Sequence, residues 1–133
     1  MSKRFPSSGP SQRQLRVGEL IRHELASLLA RGDVRDPGLE GHVVTVSEVR
    51  VSPDLRQARV YVAPLGGEGA EEVVAALMRC RKYLRGELGR RMTTKFTPEL
   101  HFEEDQSFAE AQRVDQLLRS DDVARDLGHE DED

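Results

Sequence analysis

The chain has 133 residues, of which 37% are hydrophobic and 33% charged, and its formal net charge is -4. That size fits one modest domain with tails. No apolar run approaches the roughly 20 residues of a membrane helix, so spanning helices are excluded, and a lone cysteine, Cys80, excludes an internal disulfide framework and points to a reducing cytoplasm.

Residues 1–10 hold two Pro, three Ser and a Gly, and read as a flexible basic arm carrying Lys3 and Arg4. The opening MSKRFPSSGPSQRQ has no apolar stretch behind its cations, so it is not expected to act as a secretory signal. Ser11 with Gln14 three residues on forms a capping-box pattern. Val17, Leu20, Ile21, Leu25, Leu28 and Leu29 recur at helical spacing, and Gly32 supplies a stop. The spacing predicts a first helix from about Ser11 to Arg31.

Asp36-Pro37-Gly38 is a turn signal. A β-branched run with partial alternation predicts a strand over Val43–Val51, and Ser52-Pro53-Asp54 a turn. Gln57–Ala63, with Ala58, Val60 and Val62 alternating against Arg59 and Tyr61, predicts its hairpin partner. Pro64–Gly69 reads as a loop. It is Gly-rich but lacks the Lys-Ser/Thr of a phosphate-cradling loop. Ala70 to about Thr93 reads as helical, with an apolar stripe of Val73, Leu77, Cys80, Leu84 and Leu88. Phe96–Glu103 reads as a third strand, with Phe96, Leu100 and Phe102 spaced by even numbers. A last helix begins near Ser107, with Phe108, Ala111, Val114 and Leu118 on one face. Three strands cannot bury an apolar face alone, so the helices must cover one side of the sheet: a two-layer α+β domain over residues 11–119.

The charge is unevenly spread. Residues 121–133, DDVARDLGHEDED, hold seven acids and one Arg and read as a disordered acidic tail from residue 120 on. The first 120 residues then carry 19 basic and 17 acidic side chains. Seven cations fall between residues 79 and 95 against one acid, Glu87: Arg79, Arg81, Lys82, Arg85, Arg90, Arg91 and Lys95. On a helix whose apolar stripe faces the sheet, Arg79, Lys82, Gly86, Gly89 and Arg90 lie on the far side, with Arg85 at its edge. Soluble helical surfaces usually intersperse acids among their cations. Two glycines three residues apart cost about 1 kcal/mol each in a helix and suggest close approach to the backbone. A polyanion is the natural partner. Aromatics are only 5% of the chain, so recognition of shape and phosphate is expected over stacking on unpaired bases. Arg13 and Arg16, with Lys3 and Arg4 of the arm, form a second basic group, which reads either as an extension of this surface or as a plain soluble arm.

The layout resembles a type II KH domain, α-β-β-α-α-β with a three-stranded sheet plus a C-terminal helix. The residues resemble those of the ribosome-binding factor A family from about Arg16 to Leu118. The carriers are RVGELIRHELASLLARG, DPGL at Asp36–Leu39, VTVSEVRVSPDLRQARVYV at Val44–Val62, and YLRGELGRRMTTKFTPELHFEED at Tyr83–Asp105. The resemblance implies a cytoplasmic assembly factor that binds the immature 30S subunit and its 16S rRNA. It implies a role in late maturation and rRNA processing, most needed in the cold, with neither catalysis nor cofactor. Gly86-Glu87-Leu88-Gly89 matches the Gly-x-x-Gly loop of KH domains literally. But Leu88 belongs to the apolar stripe and Glu87 repels phosphate. In this family a helix kink with an Ala-x-Gly pattern replaces that loop, and Cys80-Arg81-Lys82 stands there in this chain, with Lys82 in place of the flexible residue.

Other chemistry finds little support. Cys80 lies on the apolar stripe, and His23, His42, His101 and His129 are scattered without ligand spacing, so no metal is expected. Glu103-Glu104-Asp105 reads as a solvated strand end. No small-molecule substrate is expected, and a monomer is. The competing reading is a protein-interaction module using the open face of the sheet.

Overall fold

A computed structural model of the chain describes residues 9–119, except 109, 112 and 116. The expected acidic tail, and the arm before Gly9, lie outside the described residues.

Ser11 caps α1 (Gln12–Ala30), its hydroxyl accepting from the Gln14 amide N–H while the Gln14 side chain accepts from the Ser11 N–H. The Gln14 side-chain amide also donates to the Val51 carbonyl at 2.8 Å, tying the first turn of α1 to the strand that ends there. Val17, Ile21, Leu25 and Leu28 are buried on the inner stripe. Gly18 lets the helix come close. A Cβ there would lie 2.8 Å from the Val49 carbonyl oxygen.

β1 (Val44–Val51) and β2 (Gln57–Pro64) form the expected hairpin, and β3 (Glu99–Glu104) joins β2 in parallel, giving the order β1-β2-β3. The partial alternation of β1 has a cause. The register slips between Val46 and Glu48, so the inward set passes from Val44 and Val46 to Val49 and Val51 across a bulge at Ser47. The Ser47 hydroxyl reaches Asp105, just past β3, at 2.6 Å. The parallel β2–β3 pair requires a crossover, and α2 (Ala70–Arg79) and α3 (Arg81–Arg91) supply it on the side of α1. Val60, Val62, Leu77, Leu84, Leu88 and Phe102 fill the core between the layers, each at most 2% exposed.

Two expectations are corrected, for the third strand and for Cys80, and the last helix is found where it was expected. The third strand starts at Glu99, so Phe96 stays outside the ladder, 51% exposed, while Leu100 and Phe102 turn inward. Pro98 has no N–H to add to the sheet. The described residues after Asp105 are helical, but Val114 and Leu118 are exposed and Phe108 only half-buried. Among the described residues of that helix, Ala111 is exposed as well. Cys80 is half-buried, at the break between two helices, rather than inside one.

Candidate nucleic-acid interface

The helical segment divides at Cys80, whose φ of -92° and ψ of 3° put it in the bridge region. Its N–H still reaches the Ala76 and Leu77 carbonyls, each at 3.1 Å, and its own carbonyl accepts from Leu84. The apolar stripe therefore continues across the break, with Leu77, Leu84 and Leu88 all buried. Burial and the nearby Asp36 carboxylate push the Cys80 thiol upward from its ordinary pKa, which makes it a poor nucleophile at neutral pH. Gly86 and Gly89 lie inside α3, with Leu88 fully buried between them, so no Gly-x-x-Gly loop forms here.

The seven cations divide by partner. Arg79 grips Asp36 through two hydrogen bonds, Nε to Oδ2 at 3.0 Å and Nη2 to Oδ1 at 2.7 Å. Asp36 also accepts from the Gly38 N–H, and Gly38 lies so near α2 that a Cβ would be 2.9 Å from the Ala76 Cβ. The Arg79 guanidinium and the Gly38 amide hold the Asp36 carboxyl down to about 2. Arg91 is half-buried and reaches Glu24 of α1 at 3.1 Å, and Arg90 pairs with Glu87. Arg85 donates from Nε and Nη2 to the Thr97 carbonyl, at 3.0 and 2.9 Å, and so braces the loop before β3. Arg81, Lys82 and Lys95 are exposed and form no ion pair among the described residues.

Arg81 and Lys82 occupy the first turn of α3, which holds no acid. Cations there oppose the positive end of the helix dipole. The first turn of α2, by contrast, has the favourable Glu71 and Glu72. The start of α3 thus gathers two cations that form no ion pair among the described residues, an arrangement that suits an anion. Arg81, Lys82 and Arg85 line one side of a cleft of about 290 Å³, with Gln57, Glu99 and His101 opposite.

The close approach that two glycines imply is partly internal. A Cβ on Gly89 would lie 3.1 Å from the Thr97 hydroxyl, whereas one on Gly86 would meet only open space. At the same end of the sheet, the β1–β2 turn closes through Leu55, whose φ of 63° is rare for a leucine. Its half-buried side chain packs against the core. That turn sends Arg56 toward Phe96, with its guanidinium 5.0 Å from the ring and the Lys95 ammonium 5.5 Å from it. Sequence reasoning passed over Arg56 because it lies outside the basic segment. Arg13 and Arg16 are exposed near the α1 terminus that Gln14 anchors to Val51.

The outer face of the sheet is charge-balanced. Arg50 pairs with Glu48 and Arg59 with Glu103, and His101 lies 3.7 Å from Glu103. Tyr61 lies under Arg50 and is half-buried. Such a face offers a protein partner no apolar centre. Among the described residues no helix is long and apolar enough to cross a membrane.

One helix, a bulged hairpin and a helix pair crossing over to a parallel third strand define a KH-like α+β domain, here with its cations gathered where the crossover meets the sheet. The family model for ribosome-binding factor A matches residues 13–118. A ribosome-binding factor A from Methylobacterium nodulans is 57% identical over 128 residues, covering 96% of this chain and 95% of that one. The crystal structure of ribosome-binding factor A from Thermus thermophilus superposes with a TM-score of 0.58 at 28% identity, over 68% of this chain and 94% of that chain. A Thermus thermophilus homology model, fitted into a cryo-EM map of a complex with the 30S subunit, gives 0.53 at 30% identity, over 65% of this chain and 88% of that one. The chain belongs to the ribosome-binding factor A family.

Proposed function

We propose that this protein binds the immature small ribosomal subunit in the cytoplasm, contacts its 16S rRNA, and assists late maturation and processing of that RNA without catalysing a reaction itself. The observation that carries this reading is the pair of cations Arg81 and Lys82, without ion pairs among the described residues, on the acid-free first turn of α3. Arg85 and Lys95 continue the surface, and Arg13 and Arg16 extend it along α1. Arg79, Arg90 and Arg91 add positive potential but commit their hydrogen bonds to Asp36, Glu87 and Glu24. The fitted complex of the Thermus thermophilus relative supports the same partner. The mechanism is steric and electrostatic. The protein occupies an rRNA junction, favours one arrangement of it, and leaves when the mature structure no longer fits.

Sedimentation with immature and mature small subunits at graded salt tests this. Preferential association with immature particles, weakening steeply as salt rises, is expected. Equal binding to both particles, or binding indifferent to salt, would overturn it. Cleavage of precursor rRNA by the purified protein would refute the non-enzymatic part.

A further inference from the structure

We propose that Phe96 is a stacking platform for an unpaired RNA base, with Arg56 and Lys95 neutralising the phosphates on either side of it. This deepens the rRNA-binding reading and rests on it.

Phe96 is half exposed, yet its backbone is fixed. The Thr94 hydroxyl donates to the Phe96 carbonyl at 2.9 Å, Arg85 holds the next carbonyl, and Pro98 is buried one residue later. The ring is therefore held out on a braced loop, not left over from a poorly packed core. Arg56 reaches it from the β1–β2 turn, and Lys95 is its chain neighbour. Neither cation forms an ion pair among the described residues. The Asp54 carboxylate beside Arg56 is engaged by the Ser52 hydroxyl and the Arg56 N–H. The Arg56 carbonyl accepts from the Glu99 N–H at 2.8 Å, which ties the turn carrying Arg56 to a residue that lines the cleft with Arg81, Lys82 and Arg85.

The guanidinium and the ammonium lie over the ring, so a base stacks there by displacing one of them toward its own phosphates. An exposed ring with mobile cations, at the end of a cationic track, is the constellation that binds single-stranded nucleic acid. The cations follow the backbone and the ring takes a base of any identity. Glu99 sits on the β3 side of the cleft and repels phosphate there. The backbone is thereby confined to the α3 side, with bases directed toward the ring.

The chain contains no tryptophan, so Phe96→Trp places the single tryptophan of the chain at the site, excited selectively over the two tyrosines. Titration of that variant with a short single-stranded RNA is expected to quench its emission, and titration with inorganic polyphosphate to leave it unquenched. Phe96→Leu is expected to lower affinity for the single strand by about 5- to 140-fold, the range of one lost base stack. It should leave the salt slope and the affinity for duplex RNA unchanged. Arg56→Gln is expected to reduce the salt slope by about 0.7, one single-strand phosphate. Wild-type single-strand affinity in Phe96→Leu, or no quenching of Phe96→Trp at saturating RNA, would overturn the stacking site while leaving rRNA binding intact. If the wild-type protein binds neither immature subunits nor RNA, both readings fall together.

Discussion

Arg79 and Asp36, 43 residues apart, meet through two charge-assisted hydrogen bonds that fasten the loop after α1 to the end of α2. The first cation of the basic segment is thereby a fastening for the helix break at Cys80. The second and third, Arg81 and Lys82, form no ion pair among the described residues.

That fastening is sensitive to acid. The Asp36 carboxyl sits at about 2, below its ordinary 3.8, so on acidification the unfolded chain takes up the proton first. The stability this group contributes is complete above 3.8, fades as the pH falls toward about 2, and is lost below that. Denaturant midpoints measured across this interval should fall more steeply for the wild-type protein than for Asp36→Asn. Parallel curves would mean that the ion pair does not stabilise the fold.

The two glycines of α3 should respond differently to alanine. Gly86→Ala meets open space and is expected to stabilise the protein by about 1 kcal/mol, the helix-propensity difference. Gly89→Ala must displace the Thr97 hydroxyl and should gain less. Thermal melts decide this. A loss of subunit affinity in Gly86→Ala, despite its higher stability, would mark the place where a partner lies against the helix backbone.

Charge reversal separates free cations from engaged ones. The double change Arg81→Glu, Lys82→Glu should abolish detectable association with immature subunits. It should leave the melting temperature unchanged or raise it, because acids suit the start of a helix. Arg90→Gln removes a cation already paired with Glu87 and should have the smaller effect on binding. Equal losses from both changes would point to overall charge in place of a local site.

Removing residues 121–133 deletes seven acids and one Arg. Affinity for generic RNA at low salt is expected to rise, since long-range repulsion is then least screened. A filter-binding comparison with no difference would refute this role for the acidic end.

The elements themselves were legible because their signals are local. Ser11 and Gln14 announce the start of α1, and the stripe from Val73 to Leu88 survives the helix break with Leu77, Leu84 and Leu88 buried. Long-range relations were hidden. Nothing near Arg91 in the chain reveals that Glu24, 67 residues earlier, half-neutralises it, and nothing near Arg79 reveals Asp36. The alternation in β1 looked imperfect because a bulge at Ser47 changes its phase. Phe96 looked like a strand residue because its even spacing from Leu100 and Phe102 gave no sign of a loop that Arg85 holds apart. The even spacing was real, but Pro98 stands between.

The parallel pairing of β2 with β3 has a consequence for how the protein is made. The hairpin can close as soon as residue 64 is available, since its contacts are near in sequence. β3 can join only after the whole crossover has been synthesised and has packed down. Arg85, Thr97, Arg56 and Phe96 come into register at that last step. A nascent chain whose sheet is still two-stranded would carry the cations of α3 without the surface that arranges them, so competence to engage an RNA partner should arrive together with completion of the fold.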